Sequence, residues 1–283
     1  MKKIMQFTLL FVALNLSPIF VQADEKPDEE LMKIVKEFTP SNAILVNPKK
    51  PLSTSPIQLY DFNQDGQKEL VVTFKIKEKE QPSPSQYGVI LLKKINNEWR
   101  KVWETKTQGV NLDFSGLADI TGDGVKEYLF GVTVGAAVGS NLEIFQWIDN
   151  SFKNIAKVPY HEIDLVYDNQ KVGMAVWRAY IADSYLVDVL KWNGEKLVYD
   201  KELYSKYYPV IEKVYNDKIS KMNVWFYWYC LADAQIKSNL FEEASKSIEK
   251  GSLLAKKLSM PEVVQIFNKL SDRLEEKKYG MYN

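Results

Sequence analysis

The chain has 283 residues, 46% of them hydrophobic, which is enough apolar material for one large domain or two ordinary ones. Lysine and arginine balance aspartate and glutamate at 37 each, which excludes the strongly basic face expected of a nucleic-acid-binding protein. One cysteine, Cys230, excludes an intramolecular disulfide, and one histidine, His161, excludes a histidine-rich zinc site. We interpret Cys230, which lies among aromatic residues, as a buried apolar side chain.

Residues 1–23 have the pattern of a signal peptide. Lys2 and Lys3 precede an apolar run over residues 4–21, and Ala23 stands just before an acidic stretch. The alternative is an uncleaved membrane anchor, because a run of about 18 apolar residues can barely span a bilayer. A proline and polar interruptions favour cleavage. We therefore predict a secreted or wall-associated bacterial protein without stable membrane insertion after cleavage.

Residues 24–54 are predicted to form a short N-terminal helix followed by a linker. Leu31, Ile34 and Val35 are spaced to give one apolar helix face over residues 28–37, and Pro40 ends the helix.

A repeated β unit is predicted over residues 55–204, where short β-branched and aromatic runs alternate with turn sequences. The unit occurs three times, with turns at Asn96-Asn97, Asp149-Asn150 and Asn193-Gly194, so the spacings are 53 (96 to 149) and 44 (149 to 193) residues. Such a period is typical of propeller blades or stacked β units. Because a closed propeller needs about four blades or more, the array is either open and capped or completed by further strands, such as residues 43–46.

Two acidic loops interrupt this region: the first Asp loop, residues 61–69, and the second Asp loop, residues 119–127. Both have oxygen-bearing side chains at positions one, three, five and nine and glycine at position six. Calcium takes about six to eight oxygen ligands, so converging carboxylates suit it, and the carbonyl at position seven would add one more. The predicted metal ligands are Asp61, Asn63, Asp65, Gln67 and Glu69 in the first loop, and Asp119, Thr121, Asp123, Val125 and Glu127 in the second.

Neither loop is an EF-hand, because Val72 and Phe130 stand where that motif needs a glutamate, and both loops run into strand-like sequences. The loops resemble the FG-GAP or VCBS repeats of integrin-type β-propellers, over residues of about 55–200. This resemblance implies calcium in a hairpin loop of each blade, with a structural role. Since Thr121 is a weaker donor than Asn63, we expect the first loop to bind more tightly. Asp-Gly turns that hold no ion are the simpler alternative.

The third unit, residues 164–172, lacks the glycine and the final carboxylate, so no metal is expected there. His161 with Glu162 and Asp164 could serve acid–base chemistry, but no second histidine or nucleophile motif accompanies them. Tryptophans near the repeated turns could form a sugar-stacking platform, but we interpret them as packing between the repeats. They are Trp99, Trp103, Trp147, Trp177 and Trp192.

Residues 205–283 are predicted to be helical, because glycine and proline thin out while lysine, glutamate, leucine and alanine dominate. The predicted helices cover residues 206–217, 222–238, 240–258 and 261–277. One stretch resembles a single tetratricopeptide (TPR) repeat, through Trp228, Leu231, Ala232, Ala244, Ile248 and Gly251. A solitary repeat of this kind implies either a capping element or a peptide-binding groove.

The predicted fold is mainly β with an α-helical C-terminal region: a propeller-like antiparallel array of about three units, with a helical-bundle or TPR-like cap. The predicted function is that of an exported calcium-binding β-repeat protein, a binding or scaffold module at the cell surface with no catalytic residues. Its partner would be a protein, a peptide or a cell-wall polymer. One alternative is a cell-wall glycan or peptide hydrolase with paired carboxylates, and another places partner binding in the helical tail.

Overall fold

The computed structural model describes residues 29–76, 84–169 and 171–280, and the predicted signal peptide lies outside these ranges. Within them, a strand-rich part is followed by a helical part, so the predicted order of β and α regions is confirmed. The elements are α1 (Glu29–Phe38), β1 (Ala43–Leu45), β2 (Ile57–Tyr60), β3 (Glu69–Ile76), β4 (Ser85–Ile95), β5 (Glu98–Gly109), β6 (Asn111–Ala118), β7 (Glu127–Gly135), β8 (Gly139–Ile148), β9 (Ser151–Tyr160), β10 (Glu162–Asp168), β11 (Lys171–Ala179), β12 (Tyr185–Trp192), β13 (Leu197–Tyr199), α2 (Lys201–Lys221), α3 (Trp225–Lys237), α4 (Phe241–Lys257) and α5 (Pro261–Tyr279).

The strands form three antiparallel sheets that follow one another along the chain. The first sheet contains β1–β5, the second β6–β9 and the third β10–β13. The three predicted turns each join the last two strands of a sheet. At the first of them Asn96 and Asn97 both have positive φ, 52° and 66°, as the tight turn of a right-twisted hairpin requires.

The segment predicted at residues 43–46 is the strand β1, and it joins the first sheet rather than adding a further unit. β1 and β2 both pair with β3, β2 along its first half and β1 along its second. In the ranges described, the sheets do not close into a barrel or a ring.

The three sheets stack through apolar clusters, so their central strands are buried on both faces. In β3, Val71 faces the second sheet, whereas Leu70 and Val72 on the opposite face pack against α1. Alternate side chains of a strand point to opposite faces, so this double burial explains the unbroken apolar run of the sequence. A third cluster joins the second sheet to the third, where Leu142 and Met174 are both fully buried.

Both ends of the stack are covered by helices. The helix α1 lies on the outer face of the first sheet, where Val35 is 1% exposed. The helices α2 and α3 cover the outer face of the third sheet and bury Val189 and Ile211 completely. Burying an aliphatic side chain contributes about 1.5–3 kcal/mol, so each helix stabilises a face that would otherwise be open. Among the described elements the array is therefore open and capped.

All five tryptophans near the repeated turns belong to these clusters, but only three of them pack between sheets as predicted. Trp103 and Trp147 lie between the first two sheets, and Trp192 lies between the second and third. Trp99 packs beneath α1, while Trp177 packs beneath α2.

The helical part begins earlier than predicted. The helix α2 starts at Lys201 rather than near residue 206, because the Asp200 carboxylate accepts a hydrogen bond from the backbone N–H of Leu203 (2.9 Å) and caps the helix. Pro261 is the first residue of α5, as predicted. Gly251 allows α4 and α5 to approach closely, since a Cβ there would lie 2.2 Å from the Phe267 ring.

One face of α3 packs against the chain itself. Tyr227, Cys230 and Leu231 lie in the cluster shared with α2 and the third sheet, and each is at most 3% exposed. This packing favours the capping interpretation of the helical tail over the groove.

An ionic network fastens α3 to the third sheet. The Lys237 ammonium donates to the Asp188 carboxylate (2.7 Å) and to the Val187 carbonyl (2.8 Å), while Asp188 also pairs with Arg178 (2.6 Å). Burial alone would raise the pKa of Asp188, but the Lys237 and Arg178 charges hold it below its ordinary value.

Candidate functional site

The two Asp loops occupy equivalent positions in successive sheets. The first Asp loop joins β2 to β3 and the second joins β6 to β7, and their last residues, Glu69 and Glu127, begin the following strands. The prediction that both loops run into strands is confirmed. In the third sheet the corresponding hairpin, between β10 and β11, is shorter, and its last pair is Asp168 with Lys171.

In the first Asp loop, three of the predicted ligands are held together by hydrogen bonds from the backbone and from a side chain. The two carboxylate oxygens of Asp61 accept from the N–H groups of Asp65 (3.1 Å) and Gly66 (2.8 Å). The Asn63 amide donates to Asp65 Oδ2 (2.7 Å). Gly66 has φ +85°, which glycine adopts at little cost, so the chain can turn back at this point.

The remaining carboxylate of the first loop, Glu69, is 1% exposed and accepts a hydrogen bond from the backbone N–H of Phe62 (2.9 Å). Burial raises the pKa of Glu69. A cation lies beside it: the Lys93 ammonium is 3.5 Å from Glu69 Oε1 and 3.3 Å from Asp65 Oδ2. The predicted ligand Gln67 contributes its backbone N–H, which donates to Asp65 Oδ1 (2.8 Å).

The second Asp loop repeats this arrangement of backbone hydrogen bonds. Asp119 accepts from the N–H groups of Gly122 (2.7 Å) and Gly124 (3.0 Å). Asp123 accepts from the N–H of Val125 (2.8 Å), so the fifth and seventh positions are linked as they are in the first loop.

Glu127 of the second loop is also 1% exposed and is bonded more fully than Glu69. It accepts from the N–H groups of Ile120 (2.7 Å) and Thr121 (3.0 Å) and from the Thr121 hydroxyl (2.8 Å). Burial raises the pKa of Glu127, because desolvation disfavours the charged form. Thr121 therefore positions the glutamate as well as being a predicted metal ligand.

The loops differ in the side chain that contacts them from the strand paired with β3 or β7. Lys93 on β4 contacts Asp65 of the first loop, whereas Gln146 on β8 donates from its amide to Asp123 Oδ2 (3.1 Å) in the second. No ion pair in the described part of the chain involves Asp119, Asp123 or Glu127. Sequence reasoning missed this contrast, which no motif signals.

The donor chemistry of the two loops fits calcium unequally. Across the ranges described, no group of three or more His, Cys, Asp or Glu side chains is arranged to hold a metal ion. The second loop offers oxygen donors, the ligand type that calcium takes, and its own lysine, Lys126, lies over the Tyr60 ring. The first loop does not fit equally well, because the Lys93 ammonium already neutralises part of its charge.

A polar groove of about 870 Å³ adjoins the second Asp loop. It lies between that loop, the turns β10–β11 and β12–β13, and the first turn of α2. The side-chain oxygen Oδ1 of Asn193 accepts from the backbone N–H groups of Glu195 (3.0 Å) and Lys196 (2.9 Å), which orders one wall. The sequence predicts Asn193-Gly194 only as a turn. It does not reveal the groove, because the walls come from segments that are far apart in the chain. Its lining residues are Ile120, Thr121, Gly122, Asp168, Asn169, Val172, Lys191, Trp192, Asn193, Gly194 and Glu202.

The candidate acid–base group at residues 161–164 is not assembled. His161 Nδ1 accepts from the backbone N–H of Ala179 (3.2 Å), while Glu162 and Asp164 face Lys50 at 2.8 and 3.8 Å. Cys230 is buried, as predicted, and burial raises its thiol pKa to about 12. A thiol of this kind is a poor nucleophile at neutral pH.

No known protein family and no curated protein matches the chain. In the part of the chain that the structure describes, no helix is long and apolar enough to cross a membrane. The resemblances to FG-GAP or VCBS repeats and to a tetratricopeptide repeat therefore remain predictions.

Proposed function

We propose that the chain is an exported β-repeat protein that acts as a binding or scaffold module at the bacterial cell surface, with calcium in a structural role. The observation that carries this proposal is the recurrence of one acidic loop at the same hairpin of two successive stacked sheets. A single Asp-Gly turn is common in hairpins. In both copies here, however, the first carboxylate accepts from the sixth N–H group and the fifth carboxylate from the seventh, so each loop gathers its carboxylates in a similar way.

The chemistry that calcium would supply is charge neutralisation. Each loop brings three carboxylates together, and one of the three is buried with a raised pKa. A bound divalent cation lowers the cost of holding these like charges close together. In the second loop it would be held by Asp119, Thr121, Asp123, the Val125 carbonyl and Glu127.

The groove beside the second loop is the surface that we assign to the partner. Its walls combine hydrogen-bonding side chains such as Asn169, Lys191 and Asn193 with the edge of Trp192. Convergent polar groups beside an apolar wall are typical of a binding site, and they suit a polar chain such as a peptide or a cell-wall polymer. The groove and the loop share Thr121, so an ordered loop would also order the groove.

The alternative function, hydrolysis of a cell-wall glycan or peptide, is favoured by one observation: Asp168 and Glu202 both line the groove. However, Asp168 pairs with the Lys206 ammonium, and its side chain is only 14% exposed. This ion pair links the β10–β11 turn to α2, which favours a role in the fold. The binding function therefore has the stronger support.

Thermal unfolding in 10 mM calcium and in EDTA tests the proposal. For a dissociation constant of about 0.1–1 mM, this calcium concentration stabilises by about 1.4–2.7 kcal/mol, or about 3–10 °C in the melting temperature. We expect Asp119→Ala to abolish most of this difference. Asp149→Asn, a control on an exposed turn paired only with Lys153, should retain it. Equal melting temperatures of the wild type in calcium and EDTA would contradict the proposal.

A further inference from the structure

We propose that Lys93 is a built-in cation of the first Asp loop, so that only the second Asp loop takes a divalent ion. This inference rests on the proposed calcium binding and assigns it to one of the two loops. It also reverses the expectation from sequence that the first loop binds more tightly.

Lys93 is held in place rather than solvated. Its ammonium lies between Asp65 Oδ2 (3.3 Å) and Glu69 Oε1 (3.5 Å), and its side chain is 15% exposed. On a further side it sits 5.3 Å from the centre of the Trp147 ring, within the range of a cation–π interaction. Trp147 belongs to the second sheet and stacks on Phe62 of the loop (6.3 Å). Lys93 therefore joins the loop to the neighbouring sheet.

Strand register places Lys93 and Gln146 at equivalent points. In the first sheet Leu70 is opposite Leu92, so the next pair outward brings Glu69 to Lys93. In the second sheet Tyr128 is opposite Phe145, so the next pair brings Glu127 to Gln146. Each side chain then reaches the carboxylate at the fifth loop position. The two sites therefore differ in formal charge at one matched residue.

This one difference in charge determines which loop can bind a further cation. With Lys93 included, the first loop has Asp61, Asp65 and Glu69 against Lys68 and Lys93, a formal charge of −1. With Gln146 included, the second has Asp119, Asp123 and Glu127 against Lys126, a formal charge of −2. A divalent ion entering the first loop would meet the ammonium at its fifth and ninth positions and would have to displace it. Like charges a few ångströms apart repel strongly where water is limited. The second loop imposes no such cost.

Exchange of the two residues tests the inference, with calcium chloride as the only probe and the calcium-minus-EDTA shift in melting temperature as the readout. Lys93→Gln removes the ammonium, so the first loop should bind calcium as the second does. With two loops binding, the shift should rise to about twice that of the wild type. Gln146→Lys should reduce the shift to less than about a quarter. Lys94→Gln, which changes the exposed neighbour on β4, should leave it unchanged.

The outcomes separate the inference from the proposed function. If calcium does not shift the melting temperature of the wild type but does shift that of Lys93→Gln, the proposed calcium binding of the wild type is contradicted. The same result supports Lys93 as the cation that blocks the first loop. A wild-type response that neither Lys93→Gln nor Gln146→Lys alters would overturn the inference and leave calcium binding intact. If Lys93→Gln does not fold, Gln146→Lys carries the test alone: loss of the response supports the inference, and retention overturns it.

Discussion

All three sheets are antiparallel sheets of four or five strands, but the contacts that stabilise the third differ from those of the first two. In the first two, a buried glutamate at the start of the strand that follows the Asp loop, Glu69 or Glu127, accepts backbone N–H groups from that loop. In the third sheet the corresponding hairpin is shorter, with Asp168 paired to Lys171, and the outer face of this sheet is covered by α2 and α3. Repeated units can therefore share a backbone plan while the side chains that stabilise them diverge.

The difference does not follow from position in the stack alone, because the first sheet also has one sheet neighbour and a helical cover, α1, and yet carries an Asp loop. The second sheet is covered on both faces by other sheets, whereas the third has one sheet neighbour and needs a cover of another kind. Tyrosines supply part of that cover: the Trp177 indole N–H donates to the Tyr207 hydroxyl (3.1 Å), and the Tyr207 hydroxyl bonds to Asp164 of β10. Hydrophobic burial and side-chain hydrogen bonds with α2 thus stabilise the third sheet at this end of the molecule.

The largest effect is expected where α2 meets the third sheet. Ile211 is fully buried in this interface, while its neighbour Val210 is 46% exposed. Ile211→Asp would place an unpaired charge in an apolar cluster and should cost more than about 4 kcal/mol of unfolding free energy. Val210→Asp should cost less than about 1 kcal/mol. Urea unfolding followed by circular dichroism measures both, and equal midpoints for the two variants would show that the helices do not stabilise the third sheet.

A smaller effect is expected at the ionic network between α3 and the third sheet. The pKa of Asp188 is held below its ordinary value, so the unfolded chain binds a proton at this residue before the folded chain does. Its contribution is therefore present above about pH 4 and is lost as pH falls through the folded pKa. Asp188→Asn should cost about 1–2 kcal/mol at pH 7, and the gap from the wild type should narrow at pH 3.

Urea midpoints at the two pH values measure this gap. Asp217→Asn is the matched control, because Asp217 pairs with Lys221 on the exposed surface of α2, and it should show little effect at either pH. A gap for Asp188→Asn that is equal at pH 7 and pH 3 would mean that its ion pairs do not stabilise the fold.

Local sequence patterns predicted much of this architecture, because they depend on residues close in the chain. Asn96-Asn97 marked a hairpin turn through its tolerance of positive φ, and the Asp loops were visible from their spacing. The contrast between Lys93 and Gln146 was not predictable, because strand register brings each to a carboxylate that is distant in sequence, 28 residues away for Asp65 and 23 for Asp123. The early start of α2 was missed for a local reason, since Asp200 was not interpreted as its cap.

The most direct test of the account is the number of calcium ions that bind to one chain, measured by equilibrium dialysis with radioactive calcium at millimolar concentration. The account predicts one ion, which is lost in Asp119→Ala and retained in Asp61→Ala. Two ions on the wild type, or one ion that is lost in Asp61→Ala instead, would contradict the assignment of calcium to the second Asp loop. No bound ion would contradict calcium binding altogether.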